Sequence, residues 1–447
     1  MRGLRSTLVL LVVAAGLGAY LYFVESKKPV EPENAKKKVF SYETGKIDQL
    51  RIKSASGDVT TLKRASNSWT IVSPVAALAD QNNVNDVITN LASLEEDRVV
   101  EDNAADLKPF GLAEPRIDIT FNVAGEKEAR RILFGDMSPT GAGLYAKLPG
   151  DKRVFLVGSS LDTSLNRSTF DLRDKTALTF QAANVDSIEI ASKNQEIQLA
   201  RSGQDWKLLK PIVSPGDYAS VTGLLGQLQS AQMMILRENP EEIKDLKQYG
   251  LDKPQVTVKL GTGPQHVTFE LGSNAEGSSV WARNPARAAV FTVSAGLADE
   301  LRKTPFDLRR KEIFEFRPYN TDRFEITRGN DTRAFERVKG AGENSTDIWK
   351  QVAPSSKTVD GAALESALLD FSNLRAEAAV DKVEPTTGLN DPVATITVTF
   401  DSGKKKEVVR IGRLREDVFA ARADQPGALK LEMGKYDAAL KKVDAIQ

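Results

Sequence analysis

The sequence predicts an α+β fold used three times in tandem behind an N-terminal transmembrane helix, each repeat being mainly antiparallel β meanders with one amphipathic helix packed on them. Three observations predict it. Trp69, Pro74 and Asp80 return at identical spacing as Trp206, Pro211 and Asp217, and again as Trp349, Pro354 and Asp360. A Gly-Leu-x-x-Pro follows in every copy, at 111–115, 250–254 and 388–392. Alternating apolar and polar residues surround these marks and give way once per repeat to helical spacing. The period, about 140 residues, is too long for a solenoid repeat and suits a small domain.

The chain opens with Arg2 and Arg5 ahead of an uncharged run from Ser6 to Val24. As a helix this run measures about 27 Å, near the thickness of the bilayer's hydrocarbon core. A cleaved signal peptide and an uncleaved anchor compete for it. Gly16, Gly18 and Ala19 offer a cleavage site, but the apolar run continues from Tyr20 to Val24, which favours the anchor. Residues 1–24 are therefore expected to form a cytoplasmic tip and single transmembrane anchor. The short basic N-terminus favours an inside orientation, with the rest of the chain exported. Residues 25–38, rich in Pro, Glu and Lys, read as an extended tether. The repeats are expected over 39–178, 179–314 and 315–447.

In the first repeat, Leu50 to Ile52, Val59 to Leu62 and Trp69 to Val72 alternate, separated by Gly57-Asp58 and Asn67-Ser68, which predicts a three-stranded meander. Asp48, Asp186 and Asp322 stand at the starts of the first strands as turn residues. Pro74 ends the third strand, and Asp80 stands where a helix begins, its carboxylate placed to cap the free amides of the first turn. Asp217 and Asp360 take the same role. Val84, Val87, Ile88, Leu91 and Leu94 then form one apolar stripe, as do Val221, Leu224, Leu225 and Leu228, and Leu364, Leu368, Phe371 and Leu374. Trp69, Trp206 and Trp349, each on a strand facing such a helix, are expected in the core. After the Gly-Leu-x-x-Pro turn come four short strands, in the first repeat Ile117 to Phe121, Arg131 to Phe134, Leu144 to Leu148 and Val154 to Val157. Short amphipathic segments close the units at Leu161 to Leu165, Leu297 to Leu301 and Tyr436 to Val443, giving the order βββαββββα.

Between repeats stand Phe170-Asp-Leu-Arg-Asp-Lys175 and Phe306-Asp-Leu-Arg-Arg-Lys311. A motif present only where another repeat follows reads as an interdomain connector. Asp171, Arg173 and Lys175, and Asp307, Arg309 and Lys311, are its residues. The expectation is that Asp171 with Arg173, and Asp307 with Arg309, fix consecutive repeats through charge-assisted bonds.

Composition narrows the function. With 61 basic and 61 acidic side chains, the chain has no net field for a polyanion, which argues against nucleic acid. It has no Cys, which removes disulfides, thiolate chemistry and Cys-based zinc sites. His266 is the single histidine, in an alternating strand without a Gly-x-Ser-x-Gly elbow, and reads as a surface residue. Gly261 to Pro264 precedes a strand rather than a helix, so it reads as a hairpin turn and not a phosphate loop. No catalytic, cofactor-binding or metal residues are expected.

The Trp-to-Asp block, the Gly-Leu-x-x-Pro and the closing Phe-x-x-Arg-x-Lys, behind one N-terminal anchor, resemble the DUF4340 family of bacterial envelope proteins from about residue 39 to the end. The second connector departs by carrying Arg310 where the first has Asp174. The resemblance implies a place beside a gliding-motility-type ABC transporter and no defined catalytic residues. The expectation is thus a non-enzymatic accessory or scaffold component of a membrane transport complex, single-pass in the cytoplasmic membrane with its bulk in the periplasm. The alternative is a periplasmic glycan- or lipid-binding module, with grooves lined by the Trp residues or by Tyr145, Trp281 and Phe419.

Overall fold

The computed structural model describes residues 37–340 and 347–447. The anchor expected over 1–24, and all of the tether expected over 25–38 except its last two residues, lie outside the described residues. Those two, Lys37–Lys38 (β1), form a short strand.

The first repeat continues with β2 (Ile47–Lys53), β3 (Val59–Ala65), β4 (Ser68–Ser73), β5 (Ala77–Leu78), α1 (Gln81–Ala92), β6 (Glu95–Glu96), β7 (Arg98–Glu101), β8 (Ile117–Val123), β9 (Arg130–Met137), β10 (Gly143–Lys147), β11 (Val154–Gly158) and α2 (Leu161–Leu165). The second has β12 (Ser187–Ser192), β13 (Gln195–Ser202), β14 (Asp205–Lys210), β15 (Ser214–Pro215), α3 (Tyr218–Gln229), β16 (Leu236–Arg237), α4 (Pro240–Ile243), β17 (Val256–Thr262), β18 (Gln265–Ala275), β19 (Ser279–Arg283), β20 (Val290–Ser294), α5 (Ala295–Leu301) and, in the connector, α6 (Pro305–Leu308). The third has β21 (Thr321–Arg328), β22 (Asp331–Val338), β23 (Ile348–Ala353), β24 (Lys357–Thr358), α7 (Gly361–Ser372), β25 (Ala376–Val380), β26 (Ala394–Phe400), β27 (Lys405–Leu414), β28 (Asp417–Arg422), β29 (Ala428–Leu431) and α8 (Met433–Asp444).

Three nine-stranded antiparallel sheets result, with one strand order repeated: β5-β4-β3-β2-β8-β9-β10-β11-β7, then β15-β14-β13-β12-β17-β18-β19-β20-β16, then β24-β23-β22-β21-β26-β27-β28-β29-β25. A two-stranded sheet pairs β1 with β6. The described chain is therefore mostly β, which corrects the α+β class and the βββαββββα order expected from the sequence. Among the described residues no helix is long and apolar enough to cross a membrane. The sequence reading missed two strands per sheet, and the reason is physical. Strands such as Ala77–Leu78 are too short to show a period. Arg98-Val99-Val100-Glu101 has adjacent apolar residues instead of alternation.

The described residues form two compact units, one ending at Lys175 and one running from Thr176 to Gln447. The first holds one nine-stranded sheet, the second holds two.

Each sheet is organised about its first meander strand, which lies centrally and pairs on both sides. Leu50 faces Leu62 and Phe121, Ile188 faces Leu199 and Leu260, and Phe324 faces Phe335 and Val398. All of these are buried. The long helix covers that face: Val84, Val87, Ile88 and Leu91 of α1 are at most 3% exposed, each burial contributing roughly 2 kcal/mol.

The opposite face of each sheet is covered by the Gly-Leu-x-x-Pro turn. Gly111, Gly250 and Gly388 have φ of +65°, +65° and +66°, a left-handed conformation that favours glycine. The turn lies directly on a second glycine in the neighbouring strand. A Cβ on Gly135, Gly272 or Gly412 would stand 2.0, 2.1 or 2.2 Å from the carbonyl oxygen of Phe110, Tyr249 or Thr387.

Candidate functional site

The features that recur across the repeats converge at the start of each long helix. Asp80 accepts hydrogen bonds from the backbone N–H groups of Asn82 and Asn83, both at 3.0 Å. Asp217 accepts from Ser220 N–H at 2.7 Å, and Asp360 from Ala362 and Ala363 N–H at 2.9 and 3.2 Å. Each carboxylate is thus spent on amides that have no partner inside the helix.

The backbone of the same aspartates holds the connectors. Asp80 N–H donates to Leu172 O at 2.9 Å and Asp174 N–H to Leu78 O at 2.9 Å. Asp217 N–H donates to Leu308 O at 2.8 Å and Arg310 N–H to Pro215 O at 2.9 Å. Leu172 and Leu308 are fully buried in the cores they meet. Within the unit from Thr176, connector backbone also pairs beyond the far end of a helix: Ala177 N–H donates to Ala231 O, Ile313 N–H to Leu374 O, and Ala376 N–H to Lys311 O. The second connector therefore bonds to the start of α3 and to the end of α7, touching both sheets of that unit.

The connector carboxylates, expected to pair with Arg173 and Arg309, bond to the turns they stand in. Asp171 Oδ2 accepts from the N–H and hydroxyl of Ser168 at 3.0 and 2.6 Å, and Asp307 Oδ2 from those of Thr304 at 2.8 and 2.7 Å. Both carboxylates thus tie their own turn. Burial pushes both upward, but the Ser168 or Thr304 bonds and the nearby Lys175 or Lys311 leave each below its ordinary pKa. The lysines stack as well as bridge: Lys175 lies 5.1 Å over the Phe170 ring and 4.0 Å from Asp171 Oδ1, and Lys311 lies 5.2 Å over Phe306 and donates to Asp307 O at 3.4 Å. Arg309 is only 3% exposed, and its Nε and Nη1 have no acceptor.

Trp69, Trp206 and Trp349 are 2%, 2% and 3% exposed, beneath the long helices. An arginine stands opposite each across the hairpin: Arg64, Arg201 and Arg337. These arginines donate to carbonyls of the 3-10 turn before the first strand, to Gly45 O at 2.9 Å, Ala183 O at 2.6 Å and Pro318 O at 2.6 Å. Arg201 and Arg337 also lie 5.6 and 4.8 Å over their Trp rings. Sequence reasoning missed this pair. An Arg five residues before Trp marks the first two, but Arg337 precedes Trp349 by twelve, and the longer hairpin hides it.

Asp186 and Asp322 accept from Gly263 and Gly403 N–H at 2.9 and 2.8 Å, closing the hairpin beside them. The Gly263 amide, with the Ser187 hydroxyl, holds the Asp186 carboxyl below its ordinary pKa. His266 sits exposed in β18. Tyr145 packs edge-on against Phe110 at 5.1 Å and Trp281 against Tyr249 at 4.6 Å, while Phe419 joins Leu389, so the glycine turn fills the face these aromatics were expected to leave open. Among the described residues, no three His, Cys, Asp or Glu side chains group so as to hold a metal ion.

One cluster belongs to the third repeat. Arg422, nearly buried, donates to Glu407 at 2.8 Å, to Asp424 at 2.9 Å and to Ile313 O at 2.8 Å. Glu407 accepts in turn from the N–H groups of Glu315 and Phe316. Burial opposes the Arg422 charge, but the two carboxylates outweigh it and raise its pKa. The Arg422 contact in turn lowers that of Asp424.

The family model described as "Domain of unknown function (DUF4340)" matches residues 69–218 and 206–392, more than half of the chain. No curated protein matches. Among solved structures, a DNA polymerase sliding clamp from Pseudomonas aeruginosa with ligand aligns at 8% identity, over 89% of this chain and 93% of that one, with a TM-score of 0.16. The DNA polymerase III subunit beta from Pseudomonas aeruginosa aligns at 9% identity, over 87% and 92%, also with a TM-score of 0.16. At these scores nothing is transferred from the clamps to this chain.

Proposed function

This chain belongs to the DUF4340 family, and from that premise we propose that it is a non-enzymatic scaffold, an accessory component of a membrane transport complex of the ABC type, with its sheets on the exported face of a bacterial cytoplasmic membrane. The observation that carries the reading is the second connector. Its backbone bonds to both flanking sheets, and Leu308 enters the core of one while Ile313 enters the core of the other. A joint made this way presents two sheets as one broad docking surface, which suits binding to a multisubunit partner better than turnover of a small molecule. The sites repeated in all three copies are spent on caps, turns and cores, which agrees with a role in holding. The apolar run Ser6 to Val24 supports the membrane location and the exported position.

In-cell cross-linking from the sheets, followed by isolation in mild detergent, tests the proposal. Recovery of membrane transport subunits is the expected result. Consistent recovery of soluble enzymes alone, with no integral membrane protein, overturns it.

A further inference from the structure

A cavity of about 170 Å³ lies beside the second connector, between the two sheets of the unit running from Thr176. Pro211, Ile212 and Phe306 give it apolar walls, while Thr304, Arg309 and Asp381 supply its polar groups. Arg309 decides what the cavity lacks. Its guanidinium carries a full positive charge at any physiological pH. It is 97% withdrawn from solvent by the complement of its 3% exposure, and neither Nε nor Nη1 meets an acceptor. A buried charge left this way is costly, and an anion in the cavity relieves the cost. Asp381 acts on Arg309 through its charge, but its own side chain is exposed.

We propose that this cavity is a binding site for a small carboxylate with a short apolar tail, its carboxylate on Arg309 and its tail against Pro211, Ile212 and Phe306. The size fits: the space equals roughly five or six waters at about 30 Å³ each. The donor set selects the class. The amide and hydroxyl of Thr304 are already given to Asp307, so Arg309 is the donor available to an incoming anion. A singly charged planar carboxylate is matched by one guanidinium, whereas phosphate brings more charge and more oxygens than this wall can satisfy. The apolar walls reward a hydrocarbon tail and give nothing to an inorganic ion. Because the walls come from both sheets and the connector, occupancy braces the joint.

Isothermal titration of the full chain with sodium acetate, butyrate and phosphate, with sodium chloride holding ionic strength constant, tests the site. Butyrate is expected to bind saturably at one per chain, several-fold tighter than acetate and at least tenfold tighter than phosphate. Arg309→Met is expected to weaken butyrate at least tenfold. Asp381 is exposed, so Asp381→Asn keeps the fold and removes the competing negative charge; it is expected to tighten butyrate. Absence of saturable butyrate binding to the unaltered chain, phosphate binding as tight as butyrate, or an Asp381→Asn chain that binds butyrate more weakly overturns the proposal.

Discussion

At the residue scale, the pairs Gly111 with Gly135, Gly250 with Gly272 and Gly388 with Gly412 let a turn lie directly on its sheet. Gly272 has no room for a methyl group, because Tyr249 O stands 2.1 Å from where it would be. Gly263 is different: its φ is +66°, but nothing lies within 4 Å. Gly272→Ala is expected to lower unfolding free energy by about 3 kcal/mol and Gly263→Ala by about 1 kcal/mol, as urea titration measures. A reversed order contradicts the close approach of turn and strand. Gly111 was visible in the sequence because it belongs to a repeated local motif. Its partner Gly135 lies 24 residues further on, and no local pattern announces a contact between separated backbones. Asp424 gives the pH dependence at this scale. Its folded-state pKa lies below the unfolded value of about 3.9, so its contact with Arg422 adds stability above that pH and loses it as pH falls through the folded-state value. Asp424→Asn is therefore expected to lose less stability than the unaltered chain between about pH 5 and about pH 3, as urea titration at each pH measures.

Among the elements, the long helices were the most legible in the sequence and the sheet margins the least. A twelve-residue helix such as α1 writes its buried face three or four times over, and its capping aspartate stands at a fixed distance from Trp69 and Pro74. Two-residue strands such as β5 and β15 owe their existence to neighbours distant in sequence, and no propensity encodes them. The connector lies between these cases. Its recurrence marks it, yet the partners of Asp307 depend on Thr304, a residue outside the repeated motif. Packing, more than charge, is what this element contributes. Leu308→Ala is expected to destabilise the unit from Thr176 by about 3 kcal/mol in chemical denaturation. Arg310→Ala, which keeps the backbone bond to Pro215 and removes an exposed contact with Glu315, is expected to cost less than about 1 kcal/mol. Equal losses contradict a joint held by burial.

The whole molecule is a set of like sheets, and in the unit from Thr176 two of them share the segment that joins them. In the unit from Thr176, the amides of Asp217, Arg310, Ile313 and Ala376 all donate to carbonyls across the joint. If the two sheets there behave as one body, these four amides exchange with solvent as slowly as those of the central strands β12 and β21. Hydrogen exchange read by NMR or mass spectrometry measures this, and exchange at loop-like rates refutes a fixed joint. The same sharing blurs the boundary drawn at residue 314. Leu308 serves the sheet before it and Ile313 the sheet after it, five residues apart. Excising one copy would therefore have to keep this bridge with the copy it seals. A truncation that ended at the last residue of α5, without it, would strip Leu308 from a finished interior and open a cavity there.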